Sequence, residues 1–274
     1  MHRFLIAAIS FSVTTSALAA DAVQATTEAP IMKPQISGYG EIYLGGLKFS
    51  DEGDTLRTGG GTARVNIPFA QRWNIQIDGT YDRVWDRFNR TDGIGGAVHA
   101  YYRDPNLFAA GLFASIKDFG GNIDGVYDYA GGPEAQLYFG NLTLYGQAYY
   151  GKDHVGDFTD DLDEWGVRGV ARYFVQKNLR LDAEIAYNVT DAGSVSFDTV
   201  GMSVQAMYRF DTTPWSVFGR YQFDRLSIES NDIDTSKFLI GIRASFGSKS
   251  LFDEDRNGAT MDTYHPNILA ISVK

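Results

Sequence analysis

The chain has 274 residues, 44% of them hydrophobic, with 24 basic against 34 acidic residues, a net charge of −10 and no cysteine. That acidity excludes the basic footprint of a nucleic-acid-binding protein. The lack of cysteine excludes a disulfide framework, thiol catalysis and cysteine metal sites.

The chain begins with Arg3, an apolar stretch from Phe4 to Val13, and the small-residue run Ala17-Leu18-Ala19. This is the layout of a secretory signal peptide, residues 1–19, cut after Ala19. The apolar run falls short of the ~20 residues a membrane-spanning helix needs. Residues 20–36 are polar without a period and are expected to be a flexible leader.

From Ser37 to Phe246 the chain repeats one rhythm of short turn, alternating segment and longer polar loop. Trp165, Val167, Gly169, Ala171, Tyr173 and Val175 alternate with Gly166, Arg168, Val170, Arg172 and Phe174. Beyond Gln176-Lys177-Asn178, Leu179, Leu181, Ala183, Ile185, Tyr187 and Val189 alternate with Arg180, Asp182, Glu184, Ala186 and Asn188. A period of two with apolar residues on one side and charges on the other marks two-faced strands. In chain order the segments lie near 37–49, 61–69, 72–85, 94–103, 107–116, 130–139, 142–150, 165–175, 179–189, 200–210, 215–225 and 237–246.

Segments of about ten residues, apolar on one face and polar on the other, are the signature of a transmembrane antiparallel β-barrel. A soluble β-sandwich is the alternative. The connections at Ala70-Gln71, Asp104-Pro105-Asn106, Gly140-Asn141, Gln176-Lys177-Asn178 and Asp211 to Pro214 are tight, and the intervening ones are mostly longer. Short periplasmic turns alternating with long outer loops give an even strand number, about twelve, with both termini periplasmic. Trp73 and Trp215 flank short turns, and Trp85 and Trp165 flank long loops, as in two interfacial belts.

The alternation, together with the strand Phe238, Ile240, Ile242, Ala244, Phe246 and its terminal phenylalanine, resembles bacterial outer-membrane porin-like proteins. The phenylalanine ending is similar to the closing-strand signal of such barrels. The resemblance therefore implies the outer membrane of a Gram-negative bacterium. The implied partners are its lipids and lipopolysaccharide, the barrel-assembly machinery and small solutes, with no cofactor. The departure is that residues 247–274 follow Phe246; they are expected to be a periplasmic tail, touching a partner or tucking into the barrel mouth.

Turning the apolar set outward lines the lumen with Arg64, Arg168, Arg172, Arg180, Arg220 and Arg243, beside Glu134, Asp182, Glu184 and Asp224. Arginine suits carboxylates and phosphates through its planar fork of donors. The expected function is a narrow channel for passive diffusion of small hydrophilic anionic solutes. The alternative is a closed structural or adhesive barrel in which these charges satisfy one another. An outer-membrane lipid hydrolase needs a serine beside a histidine; of His99, His154 and His265 only His99 falls in a strand, and it faces inward, so no enzyme is expected. Asp253, Asp255 and Asn257 match the opening half of a calcium loop, but Tyr264 stands where the bidentate glutamate belongs. The acidic loop from Lys152 to Glu164 offers divalent cations a second candidate, and the loops from Asp82 to Asp92 and Ser227 to Thr235 are candidate contact surfaces.

Overall fold

The computed structural model describes residues 35–50, 55–121, 125–155, 161–191, 196–228 and 231–263. The expected signal peptide, most of the leader, and the final apolar residues Ile268, Leu269, Ile271 and Val273 lie outside the described residues.

Twelve strands follow one another: β1 (Ser37–Phe49), β2 (Thr55–Pro68), β3 (Trp73–Trp85), β4 (Arg90–Asp104), β5 (Phe108–Gly121) and β6 (Val126–Phe139). Then come β7 (Leu142–Val155), β8 (Leu162–Gln176), β9 (Leu179–Asp191), β10 (Ser196–Arg209), β11 (Trp215–Ile228) and β12 (Asn231–Phe246). Each pairs antiparallel with its chain neighbour, and β12 pairs with β1 from Gly38 opposite Phe246 to Phe49 opposite Thr235. Closure leaves no edge, so the sheet satisfies its backbone polar groups without water, as a lipid environment demands.

The two faces are those the alternation predicts. Ile42, Leu44, Ile77, Leu112, Ile116, Val167, Ile185, Val204 and Ile240 are exposed on the outside. Arg64, Gln76, His99, Glu134, Gln136, Arg168, Arg172 and Arg243 are buried inside. In water this would be an inverted protein; in a bilayer both faces are in their proper phase. Aromatic pairs stand on the outer wall near the two rims, Trp73 on Tyr102 (5.6 Å) at one and Trp165 on Tyr187 (5.7 Å) at the other.

The strands run further toward the long loops than the alternation indicates. β2 starts at Thr55 rather than Gly61, β7 ends at Val155 rather than Tyr150, and β12 starts at Asn231 rather than Lys237. Toward this end of the barrel the hydrophobic phase flips while the register does not. Outward positions carry pairs such as Arg83–Asp92, Arg225–Asp234 (2.7 Å) and Ser227–Asp232 (2.8 Å). Inward positions carry Leu47, Phe49, Val84 and Phe119. The outside there is water, so the ladder continues with polar residues out and apolar residues in. The expected loop from Asp82 to Asp92 shrinks to Asp86–Asn89, where the Asp86 carboxylate accepts from the Phe88 and Asn89 amides at 2.6 Å.

The segment after β12 takes the second of its expected courses and tucks into the barrel. β12 ends at Phe246, and Gly247 adopts φ +72°, a left-handed conformation that suits glycine. The chain then turns into the barrel at the short-turn end. Ser250 caps the helix α1 (Leu251–Asn257), accepting from the Asp253 amide at 3.0 Å. Over residues 248–263 the segment is therefore inside the lumen and not a free tail.

Candidate functional site

The tail is anchored first by apolar packing. Leu251 is fully buried against Phe174, Met207 and Phe218 of the wall. Further in, Met261 is fully buried among Tyr101, Ala109, Tyr138, Tyr145 and Val170. Between them Arg256 lies over the Tyr138 ring at 4.1 Å and donates to the Gly140 carbonyl at 2.9 Å.

The wall also meets the tail's backbone. Arg103 donates to the Gly258 carbonyl at 2.7 Å, and Arg172 to the Thr260 carbonyl at 2.9 Å. The Met261 carbonyl accepts from Gln76 at 2.7 Å and Arg64 at 2.9 Å, while its amide donates back to Gln76 Oε1 at 3.1 Å. Buried polar groups need such partners, because an unmet one costs several times a net hydrogen bond.

The densest charge lies at Asp262. Its carboxylate is 3.1 Å from Arg172 Nη2 and 3.5 Å from Arg64 Nη1, and accepts a hydrogen bond from Arg168 Nη1. Each guanidinium keeps a second carboxylate: Arg64 has Asp78 (3.0 Å), Arg168 has Glu184 (3.0 Å) and Arg172 has Asp255 (3.2 Å). Burial alone would raise the Asp262 carboxyl, but Arg168, Arg172 and Arg64 outweigh it and hold it well below the usual carboxylate range.

The structure thus brings together Arg64, Arg168 and Arg172 of the residues expected in the lumen, around a tail carboxylate that no local spacing links to them. The others are distributed. Arg243 pairs with Glu41 (2.6 Å) and Glu254 of α1 (2.9 Å), and Arg180 pairs with Asp182 (2.9 Å). Arg220 donates to Gln205 at 3.0 Å, and Asp224 accepts from Gln222 at 2.9 Å. Glu134 is 2.9 Å from His99 Nδ1, whose other nitrogen is 3.5 Å from Asp78, so both ring nitrogens face carboxylates.

The calcium-loop candidate does not form a cage. Asp253, Asp255 and Asn257 lie on α1 and diverge. Asp253 accepts from the Lys249 amide (2.7 Å) and from Asn257 (2.9 Å), whereas Asp255 accepts from Thr143 (2.6 Å) and faces Arg172. Of the expected acidic loop, Lys152 and His154 belong to β7, so His99 is not alone among the histidines in a strand, and Asp163 belongs to β8. Asp163 pairs with Lys152 (3.4 Å) and Asp161 with His154 (2.8 Å), while Asp157 and Asp160 lie outside the described residues. Among the described residues no group of His, Asp and Glu could hold a metal ion.

Beside Asp262 the lumen keeps a small cleft of about 70 Å³, lined by Arg168, Arg172, Arg220 and Lys237 and by the carboxylates of Asp182 and Glu184 among others. No protein-family model matches this sequence, and no curated protein matches it. Solved structures do match. The translocator domain of the autotransporter NalP from Neisseria meningitidis aligns with a TM-score of 0.52 at 12% identity, covering 77% of this chain and 88% of that one. An outer membrane channel from Pseudomonas putida F1 aligns with a TM-score of 0.51 at 11% identity, covering 77% and 96%. The fold is that of an outer-membrane β-barrel. The lipid-facing belt and charged lumen of this outer-membrane barrel have the same physical origin, an apolar phase outside and a polar one within.

Proposed function

We propose that the protein is a narrow outer-membrane channel for passive diffusion of small hydrophilic anions, occluded at rest by its own C-terminal segment. The observation that carries this reading is the Asp262 carboxylate, an anion seated among the guanidiniums of Arg64, Arg168 and Arg172 inside the lumen. What the chain's own carboxylate can occupy, a solute's carboxylate can occupy once the segment leaves. The arginines replace part of the solute's hydration and focus the field, and no bond is made or broken.

On this reading the short turns and both termini face the periplasm, the β12 strand ending at Phe246 presents the signal for the assembly machinery, and the hairpin extensions meet lipopolysaccharide. The tail enters from the periplasmic side. The burial of Leu251 and Met261 also favours a second reading, a permanently closed barrel acting through its loops.

Single-channel recording of the full-length protein and of the D255N/D262N variant separates the two. The variant keeps tail length and wall intact but weakens the hold on the arginines. More frequent opening with anion preference is expected, and adding R168S/R172S should reduce that preference. A verified folded barrel that is silent in every variant rejects the channel in favour of the closed barrel.

A further inference from the structure

Asp262 is held at two points. Its carboxylate lies among Arg64, Arg168 and Arg172. Its own backbone carbonyl accepts from Arg168 Nη1 at 3.1 Å and lies 2.7 Å from the Tyr145 hydroxyl. The atoms between the two are Cγ, Cβ, Cα and the carbonyl carbon, which is the carbon skeleton of succinate. The Asp262 amide, where a 2-substituent of such an acid would lie, is 3.4 Å from the same Tyr145 oxygen. We propose that the arginine cluster with Tyr145 is a binding site for four-carbon dicarboxylates, and that Asp262 is its resident substitute.

Charge points to the same class. Residues 248–263 carry Lys249 and Arg256 against Asp253, Glu254, Asp255 and Asp262, two negative charges in excess. When the segment leaves, a dianion restores the balance that a monoanion leaves half met. Of the wall carboxylates, Asp78 stays on Arg64, Glu184 on Arg168, Asp182 on Arg180 and Glu134 on His99. Tyr145 has one proton for two acceptors, Glu134 at 2.7 Å and the Asp262 carbonyl at 2.7 Å. It can turn toward a ligand while Glu134 keeps Gln147 (3.2 Å) and His99. Arg220 and Lys237 line the same cleft as Arg168 and Arg172.

A chain segment and a free solute compete here as tethered and untethered ligands. A tether holds its ligand at an effective concentration of order millimolar, so the site responds to solute only at comparable concentrations unless the tail is weakened.

This inference rests on the channel reading, and one experiment separates their failures. Full-length protein and full-length D255N/D262N are reconstituted in vesicles, and uptake of labelled succinate, butyrate and glutarate is measured alongside chloride conductance. Succinate uptake by the variant about tenfold faster than butyrate uptake, a difference of ~1.4 kcal/mol, is expected, with glutarate between them. Y145F should narrow the gap between succinate and butyrate. Anion-selective conductance with equal uptake of succinate and butyrate overturns the dicarboxylate site and leaves the channel standing. Folded protein that neither conducts nor takes up any of the three acids overturns both.

Discussion

Replacing Asp262 by Asn keeps the size of the side chain and removes the charge that Arg64, Arg168 and Arg172 share. Truncating one partner of a buried, hydrogen-bonded charge cluster costs about 2–5 kcal/mol. The lower end applies, because each guanidinium retains a second carboxylate. D262N should therefore leave the barrel folded and shift the tail toward release, read as a rise in open probability. Proton linkage makes a separate prediction. The Asp262 carboxyl is held well below the usual carboxylate range, so its contribution to docking is present above the free carboxyl's value of about 3.9 and is lost only as pH falls through the depressed one. Its facing groups, three arginines and Tyr145, have ordinary values far above neutrality. Lowering pH from 7 to 5 should thus leave tail docking unchanged, measured as protection of the tail from added protease.

Among the elements, β12 carries two kinds of information in one strand. Ile240 is exposed on the outer face and Leu239 is buried on the inner one, so a one-residue slip would exchange lipid and lumen along the whole strand. Ile240→Arg should destabilise the barrel by about 2–4 kcal/mol if Ile240 sits near mid-bilayer, measured by denaturant unfolding in lipid vesicles. The turn after β12 is the other sensitive point. A Cβ at Gly247 would lie 2.4 Å from the Ile36 carbonyl oxygen, at φ +72°. The left-handed conformation alone costs an L-residue roughly 1–2 kcal/mol. G247A should thus loosen the tail's approach to the lumen and raise open probability without altering anion preference. The short helix α1 was not read from the sequence. Ser250 before its first turn and Gly258 after Asn257 stand where start and stop signals belong, but seven residues are too few to show a helical period.

At the scale of the whole molecule, strand number, closure and facing could all be read from the sequence, because lipid and lumen differ so sharply that every second residue reports on them. Arg64, Arg168, Arg172 and Arg243 face inward as the alternation requires. The strand extensions escaped because the contrast that made the pattern visible ends at the membrane surface, where Val84 and Phe119 turn inward and Arg225 turns out. The anion site escaped for a different reason. Its members come from β2, β7, β8 and the tail, so no local spacing links Arg64 to Asp262, and only the closed cylinder does.

That order of chain carries a consequence in time. The tail follows β12, and β12 is the strand that completes the cylinder by pairing with β1. The chamber that Met261 and Asp262 occupy does not exist until that seam is made. Docking of the segment therefore cannot precede closure of the barrel, and on the channel reading each newly inserted copy passes through an interval in which its bore is unguarded. On that reading a cell making this protein meets the brief leak once per molecule, at a rate set by synthesis and not by solute.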